Sequence, residues 1–309
     1  MYRYDTLIIP KWRYSEMPEA TVGIIGGSGL DEALAKTEGR AVELDTPFGK
    51  PSSPIILANW EGTDIAIIQR HGPGHVYNPS TVNYRANIYA LKQLGCSHVI
   101  ASGAVGSLRE DFRPKDLVVC DQVIDKTHCR KGTFFDEMFV AHVEMAAPFC
   151  PVLREHLLSC QDAVSTRVHA AGTYVCMEGP AFSTRAESEM HRGWGGDLIG
   201  MTAMPEAKLA REAEMAYALV CLPSDYDCWR PAPESLDRHE LLKEIIGNLT
   251  EATRNAVELI KAALSSFAQI ADKPSPAHSA LEMAIWTNRK VIDAEAAKKK
   301  YGVLVGKYF

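Results

Sequence analysis

The sequence lacks any run of roughly 18 uninterrupted apolar residues, so no membrane-spanning helix is expected. Its amino terminus carries Arg3, Asp5, Lys11 and Arg13 where a secretory core would be apolar, and a cytoplasmic protein is the expectation. Basic charge is not in excess either. With 33 Lys and Arg against 39 Asp and Glu, the formal charge is −6, which leaves no electrostatic footprint for a nucleic-acid backbone. The eight cysteines have no paired metal spacing, and Cys120, Cys176 and Cys221 sit in apolar runs. Reduced structural thiols and no metal site are expected. No repeat, low-complexity tract or linker interrupts the chain before about residue 270, which favours a single domain. With 46% apolar residues among 309, the chain can bury a sizeable core. These exclusions leave a small-molecule ligand as the partner to look for.

Most of the chemically unusual sequence lies between Thr173 and Trp229. A β-rich run from Thr173 to Met177 breaks at Glu178-Gly179-Pro180, a second apolar run ends at Met201-Thr202, and a third (Ala218 to Leu222) ends at Asp225 and Asp227. Three strands are therefore expected to deliver polar groups at their carboxyl ends, the edge where ligands sit in α/β sheets. Between the second and third runs, Pro205 suits a first helical turn, and Glu206 fits near the positive helix end. Ala207, Leu209, Ala210, Ala213, Ala216 and Tyr217 follow as an apolar stripe. The pattern reads as a strand, helix, strand unit with a right-handed crossover.

Leu7 to Pro10 reads as an edge strand, and Thr21 to Ile25 as a buried strand running into Gly26-Gly27-Ser28-Gly29. Glycines there let backbone N–H groups approach an anion, and the Ser28 hydroxyl adds a donor. A dinucleotide-binding loop competes, but the glycine spacing is incomplete and no helix of the expected length precedes Pro47. A strand from Ile65 to Ile68 stops at Arg70-His71-Gly72-Pro73-Gly74-His75, where Arg70 can present a planar fork of donors. A helix from Asn83 to Leu94 closes at Gly95. The strand from His98 to Ala101 is expected to enter a small-residue loop, Ser102 to Ser107, and one further strand is expected from Asp116 to Asp125. Ser235 can cap a long amphipathic helix from Leu236 to about Phe267, and a last helix is expected from about Ala280 to Lys300.

Gly-Gly-Ser-Gly-Leu, Arg-His-Gly-Pro-Gly-His, Asn-Tyr-Arg-Ala-Asn, Gly-Ser-Leu-Arg-Glu, Met-Glu-Gly-Pro-Ala-Phe-Ser-Thr-Arg-Ala-Glu, Gly-Met-Thr-Ala-Met-Pro-Glu and Asp-Tyr-Asp-Cys-Trp occur in this one order. Together they resemble the trimeric purine nucleoside phosphorylase family and, within it, its 5'-methylthioadenosine phosphorylase branch, over roughly residues 21 to 265. The resemblance implies an α/β fold in a single domain, with a central mixed, partly barrel-like sheet flanked by helices. It implies an N-terminal extension (1–20), a phosphorylase domain (21–270) and a C-terminal helical extension (271–309) packed on that domain.

The implied reaction is phosphorolysis, in which phosphate attacks C1' of the ribose as the purine leaves. It needs phosphate as co-substrate and no cofactor, and serves purine salvage and methionine recycling. Ser28, Arg70, His71, Thr202 and the amide near Ala104 match the family's phosphate pocket, where donors hold the anion beside a carbon becoming an oxocarbenium ion. Met201 matches the residue under the ribose and Phe182 the one against the base. Asp225 and Asp227, two apart on an extended segment, are expected to point to one side. One protonated Asp then donates to purine N7 while its partner accepts from the exocyclic amine. Members acting on 6-oxopurines are expected to have Asn at Asp225, so Asp225 favours 6-aminopurines. For the 5' group, Leu236 suits a thiomethyl while His239 suits a hydroxyl, which keeps adenosine open as a substrate. Gly103 replaces a hydroxyl residue that helps bind phosphate, which weakens phosphate binding or shifts the contact to Ser102. His142 resembles a residue lent by a neighbouring subunit, which implies a homotrimer. A phosphorylase for adenosine, inosine or methylthioinosine, and a silent nucleoside binder, are the competing readings.

Overall fold

The computed structural model describes residues 19–28, 30, 37–231 and 237–309. Strands β1 (Val22–Gly26), β2 (Arg40–Val42), β3 (Ile55–Trp60), β4 (Thr63–Gln69), β5 (His98–Ser107), β6 (Leu117–Val119), β7 (Gln122–Asp125), β8 (Val168–His169), β9 (Thr173–Cys176), β10 (Leu198–Gly200) and β11 (Ala216–Asp225) form one mixed sheet. Around it lie helices α1 (Tyr84–Gln93), α2 (Pro151–Ser159), α3 (Arg185–Gly193), α4 (Ala203–Glu212), α5 (Arg238–Ser265) and α6 (Ala294–Tyr301).

Period-two alternation along the central strands builds a core on each face. On β11, Tyr217, Leu219 and Cys221 join one apolar cluster, and Ala216, Ala218, Val220 and Leu222 join the other. The first cluster includes Tyr89 and Leu91 of α1, Leu209 and Ala210 of α4, and Leu281, Tyr301 and Leu304 near the carboxyl terminus. The second includes Leu153 of α2 and Ala252, Ala256, Leu259 and Ile260 of α5.

The sheet forks at β5. Its first residues, His98 to Ala101, lie between β1 and β11, both parallel to it. Its last two, Gly106 and Ser107, pair with antiparallel β10, while β11 continues alongside as far as Gly106. β9 and β7 follow β10 in parallel order, so the sheet is mixed and flanked by helices as expected, but it is open rather than closed into a barrel.

This fork corrects several expectations. Ser102 to Ser107 is not a loop but the continuation of β5, held by pairing to β11. Because β10 runs antiparallel to β5, the ends of β9, β10 and β11 do not share one carboxyl edge, and β10–α4–β11 is no parallel crossover unit. The run from Asp116 to Asp125 is two strands: β6 pairs with β11 and β8, and β7 with β9, with a break at Cys120-Asp121. Helix α5 starts at Arg238, with Asp237 accepting from the His239 and Glu240 amides, so Asp237 takes the capping role expected of Ser235. Residues 280 to 300 are mostly short turns, with a 3-10 turn at Arg289–Val291 and α-helix only over α6. Leu7 to Pro10, Ser235 and Leu236 lie outside the described residues.

Candidate active site

The site is built along the second half of β5. At Gly27, just past β1, an added Cβ would lie 2.5 Å from Arg70 Nη1 and 2.8 Å from the Ser102 carbonyl oxygen. Only a residue without a side chain lets the β1 loop, Arg70 and β5 meet there. Arg70, at the end of β4, is fully buried. Its Nε and Nη2 donate to Glu206 at 2.7 Å each, and Nη1 donates to the Ser102 carbonyl at 2.8 Å. Burial alone opposes its charge, but Glu206 more than offsets this and raises its pKa above the ordinary arginine value. Three of five guanidinium N–H groups are thus spent on described residues, leaving two for an anion. Glu206 is no solvated helix-end charge; it is wholly buried and also accepts from the Tyr217 hydroxyl at 2.8 Å.

The antiparallel β10 returns Met201 and Thr202 along β5. A Cβ at Gly103 would lie 3.7 Å from Thr202 Oγ1 and nearer to nothing else. The Thr202 hydroxyl makes no capping bond to α4. Gly27, Arg70, Thr202 and the Gly103 backbone are therefore neighbours, and Ser28 follows Gly27 in the chain. The Ser102 hydroxyl is buried with no partner among the described residues. His71 is pushed down to about 4, by burial first and by the Arg70 charge second. Its Nδ1 is bonded to the Tyr77 carbonyl at 2.8 Å and its ring stacks on His75 at 4.2 Å. A neutral ring that donates Nδ1–H keeps only an acceptor at Nε2. Expected as a donor, His71 in this state presents an acceptor instead.

Three residues further along β5, about 10 Å at strand rise, the two acids meet. A Cβ at Gly106 would lie 3.1 Å from Asp227 Cβ and 3.3 Å from Asp225 Oδ1. They do not converge by strand alternation. β11 ends at Asp225, and Asp227 sits in a turn at φ 46°, its amide donating to Asp225 Oδ1 at 2.8 Å. An Asx turn brings them together. Asp225 Oδ2 also accepts from Ser224 Oγ at 2.8 Å. Burial chiefly, with a contribution from the Asp227 charge, holds the Asp225 carboxyl above its ordinary value despite these two bonds.

Met201 packs against Gly179, where a Cβ would meet its Sδ at 2.6 Å. Phe182 is 86% exposed. His239 is exposed in the first turn of α5, and Leu236 lies outside the described residues, so the 5' pair is not seen together. His142 is exposed, its amide bonded to the Ala284 carbonyl and its ring 4.8 Å from Trp286.

Sequence reasoning passed over Arg130 and Glu178. The Arg130 side chain is almost wholly buried, and its Nη1 donates to the carbonyls of Met201 and Met204 at 2.5 and 2.6 Å, while Nη2 donates to that of Glu178 at 2.6 Å. It ties the loop after β9 to the loop after β10. The Arg in Lys-Thr-His-Cys-Arg carried no spacing signal, because most of its partners are carbonyls and its carboxylate partner, Glu178, lies 48 positions away. His128, Cys129 and Glu178 bring ligand atoms within 4.8 Å of one another. Both Glu178 oxygens, however, already accept from Ser80, Arg130 and the amides of His128 and Cys129.

The profile of the phosphorylase superfamily matches residues 21–265. The S-methyl-5'-thioadenosine phosphorylase of Synechocystis sp. is 46% identical over 300 residues, spanning 96% of this chain and 90% of its own. A methylthioadenosine phosphorylase from an antarctic soil metagenomic library superposes with a TM-score of 0.82 at 46% identity, covering 92% of this chain and 98% of the other. The Schistosoma mansoni methylthioadenosine phosphorylase in complex with adenine gives 0.77 at 33% identity, covering 86% and 99%. A buried arginine beside Gly27 and Thr202 beside Gly103, and an acid pair at Gly106 of the same strand, accompany likeness to known enzymes over nearly the whole chain: the protein belongs to the phosphorylase superfamily.

Proposed function

We propose that the chain catalyses phosphorolysis of 5'-methylthioadenosine to adenine and 5-methylthioribose 1-phosphate. The observation that carries this reading is the layout of β5, with anion-binding groups at Gly103 and the acid pair at Gly106. In this reading the nucleoside lies across the end of β5, its anomeric carbon facing the anion and its base edge facing the acids.

In this scheme Arg70, Thr202, Ser28 and the Ala104 amide hold phosphate beside C1', and His71 accepts its hydroxyl proton in a hydrogen bond. A phosphate oxygen forms the new bond to C1' as the C1'–N9 bond breaks and its electrons pass into the purine. Burial holds the Asp225 carboxyl above its ordinary value, which favours it as the donor to N7, so that a neutral base leaves. Asp227 accepts from the exocyclic amine. Met201 packs below the ribose and Phe182 against the base. Leu236 and His239 face the 5' group, and His142 completes that pocket in the neighbouring protomer of a homotrimer. Residues 21–270 form the catalytic domain, and 271–309 extend it, burying Leu281 and Tyr301 against the α1 side of the core. No metal or cofactor enters this scheme.

Phosphate-dependent cleavage of 5'-methylthioadenosine, adenosine, inosine and methylthioinosine, assayed side by side, tests the reading. The methylthio nucleoside of adenine should turn over fastest. Faster inosine cleavage would refute the role of Asp225; faster adenosine cleavage would assign the 5' pocket to His239. Asp225→Asn should abolish turnover of the adenine nucleosides, whereas a silent binder has no phosphate-dependent turnover to lose.

A further inference from the structure

The two acids are not held alike. Both Asp225 oxygens accept from within their own turn, from the Asp227 amide and Ser224 Oγ. Asp227 Oδ2 accepts from Ser188 Oγ at 2.5 Å, and Oδ1 has no hydrogen bond among the described residues. Ser188 is completely buried and belongs to α3, an element to which the scheme above gives no role.

Helix α3 is built to hold its position. Its first turn is closed by a capping box between Thr184 and Glu187. One turn beyond Ser188, on the same face, His191 receives a hydrogen bond from Lys126 Nζ at 2.7 Å, and Arg192 lies 3.7 Å over the Trp229 ring. Arg192 Nε also donates to the Leu108 carbonyl at 3.0 Å. From the other side, Trp229 Nε1 donates to the Ser107 carbonyl at 2.8 Å and Cys228 Sγ to the Ser183 carbonyl at 3.3 Å. The turn that carries the acids is thus joined to α3 through Trp229 and to the segment leading into α3 through Cys228. A carboxylate on such a turn rotates readily about its terminal torsion; a buried hydroxyl on a fixed helix removes that freedom.

We propose that Ser188 is a positioning residue of the base site: by engaging Asp227 Oδ2 it leaves Oδ1 as the one free acceptor for the purine's exocyclic amine, and so sets the preference for 6-aminopurines. The inference rests on the base-site reading above, and it extends that reading to a residue that never touches the base.

The test is calorimetric binding of adenine and of unsubstituted purine, which lacks the amine, to wild-type protein and to Ser188→Ala, Asp227→Ala and the double variant. Ser188→Ala should lose about tenfold in adenine affinity, the scale of one hydrogen bond to a charged group, while purine affinity holds. In the Asp227→Ala background the same change should cost nothing further. An effect shared equally by both bases, or one that persists without Asp227, makes Ser188 merely structural and overturns the proposal. Should Ser188→Ala fail to fold, Ser188→Cys keeps the volume with a weaker donor and should show the same selective loss. Wild-type protein that binds adenine, with a Ser188→Ala variant that discriminates as before, overturns the Ser188 role alone. Wild-type protein that binds neither base overturns the base site itself.

Discussion

Replacing Glu206 by Gln isolates the buried ion pair that holds Arg70 at the proposed phosphate site. Glu206 accepts from two Arg70 nitrogens at 2.7 Å and from Tyr217 at 2.8 Å, and both members of the pair are wholly shielded from solvent. Gln keeps the size and one acceptor but removes the charge, which leaves the Arg70 guanidinium buried and uncompensated. Breaking such a pair costs about 3–5 kcal/mol, and the retained acceptor puts the expectation at the lower end. For a chain of this size, that lowers the melting temperature by about 5 °C. Arg70→Ala would be less informative, since it strands a carboxylate and removes the anion-binding group together. Phosphate carries the charge that Glu206 no longer supplies, so saturating phosphate should raise the melting temperature of Glu206→Gln more than that of wild type at equal protein concentration. Thermal unfolding with and without phosphate reads both effects. A destabilisation below about 1 kcal/mol, the value of an exposed pair, or equal phosphate shifts in the two proteins, would refute the reasoning.

Asp227→Ala removes the acceptor for the exocyclic amine and should lower turnover of the adenine nucleosides by at least about tenfold, the scale of one hydrogen bond to a charged group, and steady-state rates near wild type would remove Asp227 from the base site. Gly103→Ser places a hydroxyl beside Thr202 Oγ1 in space that is open; the KM for phosphate should fall by about fivefold to tenfold, one neutral hydrogen bond's worth, and a rise would show that the cavity is needed empty. Glu212 is pushed up to about 7, by burial first, with bonds from the Phe134 amide and Thr133 hydroxyl partly offsetting it. Its folded value lies above the unfolded one, so its contribution to stability is present at low pH and lost as pH rises from about 4.5 through about 7. Urea midpoints should show that decline in wild type and not in Glu212→Gln; an identical slope in both would refute it.

Individual strands and the motifs at their ends were legible wherever local chemistry alone decides them. β1, β4, β9 and β11 lie where apolar runs end in glycine, arginine or acid, and α1 is capped by Asn83 as its sequence suggests. β5 was misjudged because Ser102-Gly103-Ala104-Val105-Gly106-Ser107 has the composition of a loop, and pairing with β11 overrides that preference. Asp116 to Asp125 reads as one strand because both halves are apolar, although they belong to different branches of the forked sheet. Arg130 and Ser188 were missed since each acts through a partner remote in sequence: carbonyls 48 to 74 positions away for Arg130 and a carboxylate 39 away for Ser188.

By itself, the sequence determined the inventory: the alternation that makes both faces of β11 apolar, the glycines that permit close approach, and the ordered motifs that identify the family. Only the tertiary structure decided how that inventory is spent. Strand direction is a long-range property, so nothing local revealed that β10 runs back along β5 and delivers Thr202 to Gly103. The same holds for charge. A carboxylate near a helix start looks solvated in one dimension, and only packing shows that Glu206 is shut away against Arg70, and that Asp225 and Asp227 meet through a turn rather than along a strand.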